Sequence, residues 1–296
     1  MYNVGCHIGN MFLGGLGYAD DLTLLSPNRG SMRIMLDICE NFSKEYDVVF
    51  NSRKSHLIIY DEGNKYQNMV PLSLNGETLL TQKVATHLGH PVGFDNVNSI
   101  AIRNATRDLI WRTNYVIAKF GFCSADVRAF MFRTYCTSYY GSPLWQLDSN
   151  DVKRFYVTWR NCIRKIWGIP RRTHCRLLSN LCEGYGIDFE LMSRFMSFYQ
   201  SIAKSDNVCT HLCYLLCKTS RTPVSINRRM LLSQLNEDEE YSMMNKRNLR
   251  SVYEDDDECV ANGFLLKELC QLRDGILITD LSLDNISDLI DYICTG

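Results

Sequence analysis

The sequence predicts an α+β chain: a β-rich first third, then helices to the end. Three observations predict it. Short apolar runs of strand length alternate with turn residues from Val4 to Gly93, and Asn75-Gly76, the strongest short hairpin signal, sits between two of them. Tyr18-Ala19-Asp20-Asp21 lies between Phe12–Gly17 and Leu22-Thr23-Leu24-Leu25, the pattern of an antiparallel hairpin with two carboxylates at its tip. From Asn96 onward, apolar residues recur at helical rather than alternating spacing.

In chain order, Val4-Gly5-Cys6-His7-Ile8-Gly9 reads as a strand edge leading into that hairpin. Glycines 14, 15 and 17 weaken a strand and mark close approach of another backbone or a ligand. Pro27-Asn28-Arg29-Gly30-Ser31 stops the second strand and starts a helix with Ser31 as N-cap, burying Met35, Ile38, Cys39 and Phe42. Asp47–Asn51 ends it, and His56–Tyr60 is a further strand behind Arg53-Lys54. Residues 61–68 form a polar loop. Pro71–Leu74 and Glu77–Leu80 flank the Asn75-Gly76 turn, and Val84–Gly89 closes the β-rich region.

The helical part begins with Ile102, Ala105, Leu109, Tyr115, Val116 and Phe120 on one or two helices. Val127, Phe130, Met131, Tyr135 and Tyr139 suit another, ended by Gly141 and Pro143. The next is capped by Ser149, Asn150 or Asp151, carries Val152, Phe155, Tyr156, Trp159, Ile163, Ile166 and Trp167 as its apolar stripe, and stops at Gly168 and Pro170. Leu191, Phe195, Phe198, Tyr199 and Ile202 make a fourth. Cys209, His211, Cys213 and Cys217 do not have the spacing of a zinc knuckle or finger, so core packing accounts for them better. Residues 236–258 are mostly acidic and read as an exposed segment; Leu265, Leu266, Leu269 and Leu272 share a face of a final helix.

Bulk properties narrow the class. The 296 residues allow a sizeable core and two or three domains, here divided as 1–95, 96–188 and 189–296. A net charge of −1 supplies no global field for nucleic acid, so any basic footprint must be local. The thirteen cysteines have no framework spacing and no secretory leader precedes them; the expectation is an intracellular protein, nuclear or cytoplasmic, with reduced thiols. No apolar run reaches the roughly 20 residues that cross a bilayer.

Two carboxylates at a hairpin tip repel unless a cation lies between them. Hard oxygen donors in small number suit Mg²⁺, which takes one or two carboxylates and completes its shell with water and phosphate. An Asp-Asp pair equally suits an ordinary turn, its side chains bonding nearby amides. The other local charge feature is Lys153–Arg176, which holds eight Lys or Arg and no Asp or Glu. Basic residues interleaved with aromatics can neutralise phosphates, or simply form the solvated face of an amphipathic helix.

The order of blocks resembles a known family. Gly5–Gly9, Tyr18-Ala19-Asp20-Asp21 with Leu22 and Leu24-Leu25, Phe50-Asn51 with Lys54-Ser55, and His87-Leu88-Gly89-His90 are together similar to the second half of the palm of non-LTR (LINE-type) retrotransposon reverse transcriptases. Tyr140-Gly141, Leu144-Trp145 and Ile163–Trp167 with Pro170 resemble the thumb that follows. The resemblance implies a partial antiparallel palm sheet with a catalytic β-hairpin, a mostly helical thumb and a helical C-terminal region. It also implies nucleotidyl transfer from dNTPs onto a DNA primer along an RNA template, by a two-metal mechanism. Asp20 and Asp21 would then be catalytic and hold Mg²⁺, and Lys54 would neutralise or protonate pyrophosphate. Tyr18, Leu88 and Gly89 would contact primer, and Arg160, Arg164, Lys165, Arg171 and Arg172 would contact nucleic acid.

Such a site needs a further carboxylate from an earlier strand, and the seventeen residues before Tyr18 contain neither Asp nor Glu. The expectation is therefore a C-terminal polymerase fragment, inactive alone. Two alternatives are a non-catalytic RNA- or DNA-binding remnant acting through the basic helix, and an unrelated metal-dependent phosphoryl-transfer enzyme.

Overall fold

The computed structural model describes residues 4–60, 70–182, 185–235, 246–253 and 257–274, with 288, 290, 291 and 294. The protein is α+β and divides into two compact units, Met1–Val97 and Asn98–Gly296. Among the described residues no helix is long and apolar enough to cross a membrane.

Among its described residues the first unit holds ten short strands and one helix. Strands β1 (His7–Ile8) and β2 (Met11–Phe12) form a hairpin of their own, where the sequence suggested one strand edge. Strands β3 (Gly15–Tyr18) and β4 (Asp21–Leu24) form the carboxylate hairpin. Helix α1 (Arg29–Tyr46) follows. Strand β5 (His56–Ile58) comes next, then β6 (Ser73–Leu74), β7 (Glu77–Thr78), β8 (Leu80–Gln82), β9 (Val84–His87) and β10 (His90–Gly93). These strands make five separate two-stranded pairings, not one sheet. Four are antiparallel, but β5 and β8 run parallel, because the long connection between them allows a crossover. Asn75 and Gly76 both take positive φ (53° and 76°), the type I′ signature that Asn-Gly favours.

Helix α1 differs from expectation at its start and on its buried face. Asn28 is the N-cap, accepting from Ser31 N–H at 2.9 Å, while Ser31 Oγ accepts Gly5 N–H at 2.7 Å. The small core consists of Leu36, Leu72, Leu74 and Leu79, joined by Met32 and Cys39. Ile38 and Phe42 instead lie exposed, with Ile34 and Tyr46, as a second apolar stripe. The helix has two apolar faces, and the β6–β7 hairpin covers only one. Gly5 (φ +84°) and Gly14 do mark close backbone approach: a Cβ on Gly14 would lie 3.0 Å from the Gly5 Cα and 2.4 Å from the Phe12 ring.

The second unit is helical. It comprises α2 (Val97–Phe120), α3 (Ala125–Cys136), α4 (Asn150–Trp167), α5 (Leu177–Asn180), α6 (Ile187–Ala203), α7 (Val208–Thr219), α8 (Pro223–Leu235), α9 (Lys246–Val252) and α10 (Asp257–Asp274). Helix α6 runs through position 188, and one core cluster draws on residues from Ala101 to Cys294. Its centre is aromatic: Phe155 meets Tyr139 and Trp145 edge-on, each at 5.4 Å. Helix α4 is capped as its sequence predicts, with Ser149 accepting from Val152 N–H and Gly168 left-handed at the end. Helix α3 departs from expectation: Val127, Phe130 and Tyr135 are exposed, and Ala125, Phe132 and Cys136 face the core. Leu266 and Leu269 of α10 are buried, whereas Leu265 is exposed. The side chain of Leu272 and most of the acidic stretch 236–258 lie outside the described residues.

Two polar devices tie the helices. The Arg128–Asp274 pair (3.3 Å) is nearly buried, with Arg128 Nε also donating to the Ile166 carbonyl, so α3, α4 and α10 share one anchor. Buried Asn227 of α8 accepts Leu147 N–H (2.9 Å) and donates to the Trp145 carbonyl (2.6 Å). Both backbone groups would otherwise be buried unpaired.

Candidate catalytic hairpin and nucleic-acid interface

Strands β3 and β4 pair Gly15 with Leu24, Leu16 with Thr23, Gly17 with Leu22 and Tyr18 with Asp21. Two residues, Ala19 and Asp20, are left to turn the chain. A two-residue hairpin needs positive φ at its first position, and Ala19 adopts +51°, a conformation that costs a residue with a Cβ. Backbone bonds from Leu25 N–H to the Gly14 carbonyl and from Cys6 N–H to the Leu25 carbonyl extend the base of the hairpin. Tyr18, Asp20 and Asp21 are all exposed. Among the described residues neither carboxylate makes a hydrogen bond or ion pair, so all four oxygens are free for a ligand.

Side chains alternate along a strand, so Asp21 and Thr23 share a face with their cross-strand partners Tyr18 and Leu16. On that face Thr23 Oγ1 lies 3.4 Å from His87 Nε2, joining the carboxylate hairpin to the β9–β10 hairpin. His87 precedes the Leu88-Gly89 turn, whose φ values are 48° and 74°. Leu88, like Ala19, thus holds a left-handed φ although it carries a Cβ. The contact joins the strand that follows Asp20 to the strand that precedes Leu88-Gly89, through Thr23 and His87. Lys54 sits exposed in a turn, its N–H donating to the Asn51 carbonyl and Oδ1, and among the described residues its ammonium pairs with neither Asp.

The basic residues of α4 and the following loop divide by environment. Arg164 donates through Nε and Nη2 to the Thr173 carbonyl (3.3 and 2.7 Å) and through Nη1 to Asn161, and burial lowers its pKa. It braces the chain after α4. Lys165 is exposed and reaches Asn114 Oδ1 of α2 at 3.4 Å. Arg172 pairs with Asp291 at 3.6 Å in the open. Arg160 is half-buried. Arg171 is exposed and makes no hydrogen bond or ion pair among the described residues.

Among the described residues no third His, Cys, Asp or Glu completes a metal-holding group with Asp20 and Asp21, and Cys209, His211, Cys213 and Cys217 do not form one either. A concavity of about 370 Å³ lined by Val127, Phe130, Arg133 and Lys267 contains none of the candidate catalytic, metal or nucleic-acid residues read from sequence. Sequence reading assigned Tyr115 to the core, but it is exposed beside Trp111 on α2. The signal that marks this face is the strict four-residue spacing of Arg107, Trp111, Tyr115 and Lys119. Comparisons with protein-family models, with curated proteins and with solved structures return no match.

Proposed function

We propose that this chain carries the catalytic-hairpin part of the palm, and the thumb-like helices, of a non-LTR (LINE-type) retrotransposon RNA-directed DNA polymerase. The supporting observation is a pair of tight turns. Ala19 beside Asp20, and Leu88 beside Gly89, hold positive φ without being glycine, as do Asp47, Asn75, Asn96 and Tyr139, and these two turns fall in two of the four blocks that carry the resemblance. Such strain costs about 1–3 kcal/mol and clusters at functional sites.

The donor chemistry fits Mg²⁺: two unengaged carboxylates on a solvent-facing turn, with room for water and phosphate ligands. Bound Mg²⁺ supplies activation of the primer 3′-hydroxyl and charge neutralisation at the leaving pyrophosphate. In this reading Asp20 is the principal ligand and Asp21 supports it. Tyr18 sets the hairpin against the primer terminus, and Leu88 and Gly89 contact the primer strand. Lys54 approaches pyrophosphate from its mobile-length side chain. Arg160, Lys165, Arg171 and Arg172 neutralise template and primer phosphates, and Arg164 holds their loop in place. A further carboxylate completes the site from beyond Asp20 and Asp21, so the chain alone is expected to extend no primer.

Mn²⁺ as a paramagnetic probe tests this reading. Broadening should centre on the amides of residues 19–22 and vanish in Asp20→Asn. Broadening elsewhere, or its survival in that variant, sinks the metal assignment. RNA-templated primer extension by the purified chain, lost on Asp20→Ala, would show instead that the site is complete.

A second reading is a non-catalytic RNA- or DNA-binding remnant, favoured by the exposed cations at Lys153, Lys165 and Arg171. It expects steeply salt-dependent binding and no metal response at the hairpin.

A further inference from the structure

We infer that the exposed face of α2 is a stacking platform for single-stranded nucleic acid, formed by Arg107, Trp111, Tyr115 and Lys119. The inference deepens the nucleic-acid reading above and rests on it. Residues four apart lie above one another on a helix, so these four make one row about 18 Å long. Trp111 and Tyr115 are 64% and 51% exposed, and their rings stack at 5.6 Å with an interplanar angle of 19°. Lys119 Nζ lies 5.9 Å over the Tyr115 ring. The helix does not need these rings for its packing, because Ile102, Leu109, Thr113 and Val116 already bury its other side.

The surrounding charge selects the occupant. Helix α2 carries Arg103, Arg107 and Lys119 against one acid, Asp108, which lies 3.9 Å from Arg107, while Arg112 donates to the Tyr135 carbonyl and Ser138. Asn114, between the two rings in sequence, holds Lys165 from α4, which adds a further cation beside the row. Ile110 is the one large aliphatic residue of the helix that is exposed, so the face lacks the aliphatic collar of a groove for an apolar helix. Flat π-surfaces flanked by cations match a strand whose bases stack and whose phosphates are anionic. A duplex would keep its bases stacked inside and could use only the cations.

Tryptophan fluorescence reads this face directly, since Trp145, Trp159 and Trp167 are buried and Trp111 is the only exposed one of the four. The whole chain is titrated with a short oligouridine strand and with an abasic strand of equal length and charge. Oligouridine should quench Trp111 emission; the abasic strand should not. The double variant Trp111→Ala/Tyr115→Ala should weaken oligouridine binding on the order of tenfold or more and leave abasic binding and its salt slope unchanged. Trp111→Phe should keep most of the affinity, and unchanged thermal unfolding would show that the variants fold. Equal losses on both strands, or no quenching on binding, overturn the platform while leaving the broader nucleic-acid reading in place. Failure to bind either strand overturns both. A dimer in light scattering that Trp111→Ala converts to monomer assigns the face to a second copy and overturns the platform.

Discussion

Arg164 binds the carbonyl of Thr173 through two guanidinium nitrogens, at 3.3 and 2.7 Å. The bond closes the loop after α4, where Thr173 is almost fully buried and its own hydroxyl bonds the Pro170 carbonyl. A residue that reads in sequence as a phosphate ligand therefore commits three of its five N–H donors to the fold. Arg164→Gln is expected to destabilise the second unit by about 1–3 kcal/mol in urea unfolding, because a buried carbonyl loses a charged partner.

Arg171 supplies the contrast. It is exposed and unpaired among the described residues, so Arg171→Gln should leave the urea midpoint unchanged. If the chain binds nucleic acid there, the same change should weaken binding across sequences and lower the salt slope by about one. A stability loss in Arg171→Gln with no change in slope would reverse the division of roles.

The strain at Ala19 is testable by backbone substitution. Ala19→Gly removes the Cβ that disfavours φ +51° but adds unfolded-state entropy, so the stability change should be small, within about 1 kcal/mol. Ala19→Val places a β-branched residue there and should cost more than 1 kcal/mol. Hydrogen exchange of the β3–β4 amides measures both. The glycine variant should also exchange faster at the turn, since glycine widens the range of φ open to the tip.

Asn227 is fully buried and bridges two backbone groups of the segment before α4. Asn227→Ala leaves the Leu147 N–H and the Trp145 carbonyl unpaired beside a cavity. A loss of about 3 kcal/mol is expected, and thermal unfolding of the variant measures it. Asn227→Asp should do no better, because it keeps the acceptor but cannot donate to Trp145.

Much of this was legible where the signal was local. Asn75-Gly76 dictates its type I′ turn, and Ser149 and Gly168 delimit α4, because each acts within four residues of itself. Non-local choices were not legible. Helix α1 offers Met32-Leu36-Cys39 and Ile34-Ile38-Phe42 as rival stripes, and packing against Leu72, Leu74 and Leu79 decides which is buried. Ser31 and Asn28 are both good caps, and the distant Gly5 N–H takes the Ser31 hydroxyl. The parallel β5–β8 pairing joins strands that sequence order does not make neighbours. At the candidate site, the two-residue turn at Asp20 follows from the flanking strands, but the Thr23–His87 contact spans 64 positions. The role of Arg164 likewise depends on a carbonyl nine residues away that no pattern announces.

His90 gives the first unit a pH response. Burial penalises its imidazolium and lowers its pKa from 6.5, so between that native value and 6.5 the unfolded chain binds more protons than the folded one. Stability contributed by neutral His90 is complete above 6.5 and declines as pH falls toward the lowered native value, below which the loss is full. The urea midpoint of the first unit should therefore be lower at about pH 5.5 than at about pH 7.5. His90→Gln removes the titrating group and should shrink that difference, as followed by amide resonances of β9 and β10. An unchanged pH dependence in His90→Gln would place the response on another group.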